Sequence, residues 1–148
     1  MMILLKNKLK NSKMQVNYKY GDTYKLKKSF YYDDVETFSK LSGDVNPIHL
    51  DYDFAQKSIF GKPIVHGLLV SSLFSTIIAN HLPGPGSIYL NQTLNFKAPV
   101  FHETLVIAIV EIVNLKTEKG IFELKTTCTN EQDEILIEGS AIVLNTNL

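Results

Sequence analysis

Leu68-Leu69-Val70-Ser71-Ser72-Leu73-Phe74-Ser75-Thr76-Ile77-Ile78-Ala79 is long, apolar and without a single charge. Leu69, Leu73 and Ile77 recur at helical spacing, as do Leu68 and Ser72, and the apolar positions together leave no broad polar face. A strand fails on length, because strands usually run about five or six residues. The stretch therefore predicts a helix buried on most sides, around which other elements must pack.

Downstream of it, Pro83-Gly84-Pro85-Gly86 breaks the chain and the periodicity changes. Segments near Ser87–Phe96, Leu105–Leu115, Ile121–Asn130 and Glu134–Leu144 are rich in valine, isoleucine, threonine and phenylalanine, as strands prefer. With Ala98–Glu103, Lys119-Gly120 and Glu131-Gln132-Asp133 between them, they predict four consecutive strands in an antiparallel meander. Upstream, Asp22–Phe30 predicts an edge strand. Val35, Phe38 and Leu41 fall on one face of a short helix that Ser42-Gly43 ends. Asp51 is placed to cap a further short helix running to about Lys57, with Phe54 and Ala55 available for packing. The economical packing is α+β, with a curved antiparallel sheet wrapped around the long apolar helix. A sheet of this kind leaves exposed edges, and a small domain gains core by pairing, so a homodimer is expected.

Composition bounds the function classes. At 148 residues, 45% apolar and 20% charged, the chain is globular and sized for one domain. All fifteen basic residues are lysine, so a phosphate would have to be held without the guanidinium fork. Residues 1–28 carry eight lysines and one acid, Asp22, whereas residues 29–148 carry seven lysines and fourteen acids. The positive charge thus sits in an end segment rather than on a folded basic face, which argues against a nucleic-acid partner. Residues 1–19 read as a basic extension ahead of one domain over 20–148. Lys6, Lys8, Lys10 and Lys13 also allow a mitochondrial leader, although leaders favour arginine and serine. Met14 is a possible internal start. Met1–Leu5 is too short for a signal-peptide core and no later stretch reaches the roughly 20 apolar residues of a membrane span. The chain reads as soluble and cytoplasmic, with a mitochondrial address as the variant. Cys128, the only cysteine, can form no intrachain disulfide and reads as a packed strand residue.

Chemistry concentrates after the first helix, in Asp44-Val45-Asn46-Pro47-Ile48-His49. A carboxylate and an imidazole five residues apart on one turn, stiffened by Pro47, can both reach a single water. The ordinary alternative is a turn aspartate and a surface ring; Asn46 before proline is equally at home opening a turn. Gly67 opens the long helix, where unpaired N–H groups can stabilise developing negative charge, or where a missing side chain merely admits the turn to a crowded core. His66 reads as a residue holding that turn by hydrogen bonding. Ser75, two turns along, either bonds back to its own helix or orients Asp44. His49, His66, His81 and His102 have no metal-ligand spacing, so no metal is expected. There is no Gly-x-Ser-x-Gly elbow for a serine esterase.

The run Phe38-Ser39-Lys40-Leu41-Ser42-Gly43-Asp44-Val45-Asn46-Pro47-Ile48-His49-Leu50-Asp51 resembles the hydratase-2 motif of MaoC-like dehydratases. Pro63-Ile64-Val65-His66-Gly67-Leu68-Leu69, Leu82-Pro83-Gly84-Pro85-Gly86-Ser87-Ile88-Tyr89-Leu90 and Phe96-Lys97-Ala98-Pro99-Val100 extend it, in order, to the short (R)-specific enoyl-CoA hydratases. The resemblance spans roughly residues 22–144. It implies a hot-dog fold, and reversible hydration of trans-2-enoyl-CoA to (3R)-3-hydroxyacyl-CoA without metal or redox cofactor. By the same resemblance, Asp44 and His49 are the catalytic acid/base pair, with His49 the principal base. Gly67 supplies the oxyanion N–H, Asn46 shapes the loop, Ser75 supports it, and the site lies close to a dimer junction. Gly43, where an acid often stands, and Gly61-Lys62, in place of a more polar approach, depart from the pattern. Neighbouring readings are a dehydratase for 3-hydroxyacyl chains on acyl carrier protein, a hot-dog acyl-CoA thioesterase, and a non-catalytic acyl-thioester binder.

Overall fold

The computed structural model describes residues 17–145. The leader and the internal start considered above lie outside the described residues. Strand β1 (Thr23–Ser29) leads into helix α1 (Tyr32–Ser42), two short helices α2 (Pro47–Leu50) and α3 (Tyr52–Gln56), and the long helix α4 (Gly67–Asn80). Four strands follow: β2 (Ile88–Phe96), β3 (Leu105–Lys116), β4 (Ile121–Thr129) and β5 (Ile135–Leu144). All pairings are antiparallel, in the order β1-β3-β4-β5-β2.

That order corrects the four-strand meander. Only β3, β4 and β5 are joined as consecutive neighbours, while β2 pairs with β5 at the edge opposite β1. The physical reason lies in the segment between β2 and β3, which is no hairpin turn. Val65 N–H donates to the Val100 carbonyl at 2.7 Å, and Ile64 bridges Phe101, so the connection is bound to the chain entering α4. Glu103 N–H then donates to the Phe30 carbonyl at 2.7 Å, delivering the chain to the β1 side.

Period-two burial on the sheet faces the helix. Val106, Ala108, Val110 and Ile112 on β3, with Phe122, Leu124, Thr126 and Cys128 on β4, are buried, and Val70, Leu73, Phe74, Ile77 and Ile78 of α4 meet this side. Helix α4 contacts β1, β2 and β3, that is, both edge strands and one between. A flat sheet could not bring both edges to one helix, so the sheet curves around α4: the arrangement is the expected hot-dog fold. Burial pushes the Cys128 thiol up to about 12, in keeping with a packing residue.

Three packing expectations are revised. Helix α4 is not covered all round, because Leu68 is 63% exposed and Ser72, Ser75, Thr76 and Ala79 share its open side. Leu41 is 85% exposed, since α1 ends at Gly43 and only Val35 and Ser39 are buried within it. On α3 the packing residue is Ala55, while Phe54 is half exposed. The caps follow the sequence: Gly43 is left-handed with φ 81°, and Asp51 accepts from Phe54 N–H at 3.0 Å.

One glycine on β5 is required by close approach. A Cβ built on Gly139 would lie 1.9 Å from the carbonyl oxygen of Thr93 across the β2–β5 pairing. Because the obstacle is backbone, Gly139→Ala is expected to cost roughly 3 kcal/mol, the upper end for overpacking. The check is a thermal melt, in which Tm should drop by about 6–12 °C.

Candidate active site

The site is built where α1, α2 and the start of α4 converge. Gly43 turns the chain at the end of α1, its N–H donating to the Ser39 carbonyl at 2.9 Å. Asp44 then opens a loop knitted by local bonds: its N–H donates to Ser42 Oγ at 3.2 Å, and Asn46 N–H donates to Asp44 Oδ1 at 3.3 Å. Asn46 Oδ1 accepts from Ile48 N–H at 3.2 Å, so Asn46 is the N-cap of α2, with Pro47 in the first turn. Its role is thus to start the short helix that carries His49.

His49 is buried and its ring is fixed by main chain. Nδ1 lies 2.8 Å from the Ile64 carbonyl, and Ile64 N–H returns a bond to the Ile48 carbonyl at 3.2 Å. A carbonyl only accepts, so Nδ1 carries the proton and Nε2 is left with a bare lone pair, the form of imidazole that acts as a base. Asp44 is about half exposed, and donor atoms of Asp44, His49 and His66 all lie within 4.8 Å of one another. Two hydrogen bonds of about 2.8 Å meeting at one water can span such a gap. Asp44 and His49 line a cleft of about 410 Å³ together with Gly67, Leu68, Phe96 and Ile137.

Gly67 is the first residue of α4, where the leading N–H groups lack partners within the helix. A Cβ there would lie 2.5 Å from Cε1 of the Phe96 ring. The absent side chain lets Phe96 close in, and Gly67 is one of the residues lining the cleft. Ser75 is exposed on α4 and does not line the cleft with Asp44 and His49. Ile77 and Ile78, on the same helix, belong to the core.

His66 stands much closer to the chemistry than a turn-holding residue need be. It is 2% exposed, its Nε2 lies 3.1 Å from the Asp44 carbonyl and 3.9 Å from Asp44 Oδ2, and its ring stacks on His49 with centroids 3.7 Å apart. The sequence placed it next to Gly67 but offered no sign that folding would bring it against Asp44, 22 residues earlier. The Ile64 carbonyl that orients His49 is a backbone group and has no sequence signature at all. Although three potential ligands cluster here, stacked rings send their in-plane lone pairs alongside one another rather than toward one point, and His66 Nε2 is already engaged. This is a poor cage for a cation.

Burial lowers the His66 pKa, with the neighbouring His49 and His102 acting in the same direction against the pull of Asp44; burial lowers that of His102 as well. The unfolded chain therefore takes up protons first. Stability from these two groups is complete above the unfolded histidine value of about 6.5 and is lost as pH falls from there through the folded values. Melts across roughly pH 7.5 to 5 should show Tm declining on the acid side, and His66→Gln or His102→Gln should flatten the decline.

Comparison with known proteins follows this geometry. The family model described as "MaoC like domain" matches residues 9–134. The (R)-specific enoyl-CoA hydratase of Aeromonas caviae is 44% identical over 123 residues, 83% of this chain and 92% of that protein. A 3-hydroxybutyryl-CoA dehydratase of Methylorubrum extorquens is 42% identical over 123 residues, 83% of this chain and 78% of that protein. Among solved structures, the (R)-hydratase from A. caviae involved in PHA biosynthesis superposes with a TM-score of 0.85 at 42% identity, over 88% of this chain and 98% of that one.

Proposed function

Since the chain belongs to the MaoC-like dehydratase family, we propose that it is a hydro-lyase that reversibly adds water to trans-2-enoyl-CoA, giving (3R)-3-hydroxyacyl-CoA. The observation that carries this reading is the approach of the Asp44 carboxylate and the His49 ring, within 4.8 Å, on a cleft that also holds the first residue of α4. The two similar proteins above act, by their names, on CoA thioesters, one described as a hydratase and the other as a dehydratase, which suits a reversible reaction.

In the hydration direction, the Asp44/His49 pair holds one proton between its members. A water seated between them loses a proton to His49 Nε2 as its oxygen bonds to carbon three of the enoyl group. The electron pair of the double bond moves toward the thioester oxygen, where the Gly67 N–H stabilises the charge. Asp44 delivers its proton to carbon two, the thioester carbonyl reforms, and His49 returns its proton to Asp44 through the next water. One water is consumed and the pair is restored. Asn46 acts by starting α2 under His49. Ser75 takes a supporting place on α4 that does not require contact with the reacting atoms.

The test is hydration of enoyl-CoA substrates of increasing chain length, with chiral analysis of the product. A (3R) product supports the reading. Release of free CoA without hydration would instead make the chain a thioesterase, and binding without turnover would make it an acyl-thioester binding module. A large preference for the acyl carrier protein thioester over the CoA thioester would move the reaction to fatty acid synthesis.

The chain works as a homodimer in this proposal. Among the described residues, strand β2 is an edge whose Ile88, Leu90 and Phe96 are more than half exposed, and the open side of α4 adds Leu68. Light scattering after size exclusion should give twice the chain mass; a monomer at micromolar concentration would overturn it. No helix among the described residues is long and apolar enough to cross a membrane. The compartment proposed is the cytoplasm, with a mitochondrial address if residues 1–19 act as a leader ahead of the domain at 20–148.

A further inference from the structure

We propose that His66 is a positioning residue of the hydration site, holding Asp44 by its main-chain carbonyl through the single N–H at Nε2. This rests on the hydratase reading and deepens it.

Three contacts converge on that one nitrogen. The Asp44 carbonyl lies at 3.1 Å, Ser39 Oγ at 3.3 Å, and Asp44 Oδ2 at 3.9 Å. The carbonyl accepts only, so Nε2 carries the proton and Nδ1 has a bare lone pair, which is buried and without a protein partner. His66 is thus a one-donor group aimed at the residue that shares the reacting water. Helix α1 bears on His66 as well, since Ser39 lies on α1 and the Phe38 ring meets the His66 ring edge-on at 4.9 Å.

The Asp44 loop has no other support of this kind. Its other bonds, from Asp44 N–H to Ser42 Oγ, from Val45 N–H to the Gly43 carbonyl and from Asn46 N–H to Asp44 Oδ1, are all local. Among the described residues, the tie to His66 is the one bond to residues 44–46 that comes from a buried side chain. A face of the same ring is covered by His49, with centroids 3.7 Å apart and planes 28° from parallel, so the donor sits beside the other member of the pair. Neutrality matters for this role. Titratable groups facing His66 are Asp44, His49 and His102, and burial opposes a charge on the His66 ring. A neutral ring orients Asp44 without disturbing the proton that it hands to carbon two, and puts no like charge behind His49 when that ring takes up the water's proton.

Two amides separate positioning from bulk packing. A glutamine amide nitrogen reaches the place of histidine Nε2, and an asparagine amide nitrogen only that of Nδ1. With crotonyl-CoA as substrate, His66→Gln should keep kcat within about threefold of wild type, whereas His66→Asn should lose about 10- to 100-fold, as expected for misplaced groups. KM should stay within about twofold in both, because the substrate is not what His66 holds. Circular dichroism and Tm are read first; if His66→Asn does not fold, His66→Phe, which keeps the stack and has no donor, takes its place and should show the same loss. Equal kcat in the glutamine and donor-less variants, or a change confined to KM, would overturn the assignment while leaving the hydratase reading intact. A folded wild-type chain that hydrates no enoyl thioester would overturn the hydratase reading, and the role of His66 with it.

Discussion

His49→Ala should fold as the wild type does and lose roughly 10²-fold or more in kcat, the usual cost of removing a positioned acid or base. The base proposed above rests on three features that alanine removes together: the buried ring, the Nδ1 proton given to the Ile64 carbonyl at 2.8 Å, and the Nε2 lone pair that this leaves bare. What remains is the main chain of α2, capped by Asn46 and tied through Ile64 N–H to the Ile48 carbonyl, so the loop keeps its path. The fold should survive because the core cluster of the sheet and α4 does not include His49. Steady-state hydration of crotonyl-CoA beside circular dichroism makes the measurement, and unchanged turnover would remove His49 from the mechanism.

Asp44→Asn is expected to have an effect of similar size, roughly 10²-fold or more in kcat, with little loss of stability. Asparagine has the same shape, and its amide oxygen can still accept from Asn46 N–H, so the turn is retained. It can neither take nor give the proton that carbon two requires. If the two residues act on one water as proposed, the double variant should be little worse than the weaker single variant, as for groups that work as a unit. A double variant whose loss equals the product of the two singles would mean that Asp44 and His49 serve separate steps.

Much of this was legible from residues alone. The long apolar run gave α4, the alternating segments gave β2 to β5 within a residue or two, and Gly43 and Asp51 gave the helix boundaries. Strand order was not legible, because the path from β2 to β3 is decided by backbone bonds of Val65 and Glu103 that any residue could make. The exposure of Leu41 was missed for a related reason: spacing assigns a face to a helix, but the covering element on that face must exist. At the site, Asp44, Asn46, His49 and Gly67 could be named because they lie on one loop and one helix start. His66 was visible only as a turn residue, since its partners Ser39 and Asp44 come from 27 and 22 positions away. Phe96, which closes over Gly67, is farther still and belongs to an edge strand with no polar signature.

The orientation of the base by Ile64 has an evolutionary corollary. Position 64 presents its carbonyl to His49 and is also one of the residues lining the cleft, and its backbone and side chain are chemically independent. Exchanging the isoleucine for a smaller or larger apolar residue would reshape the chamber without disturbing the imidazole's tautomer, since every amino acid supplies the same oxygen. Selection can therefore retune which acyl groups are admitted there while the proton-handling machinery is inherited unaltered.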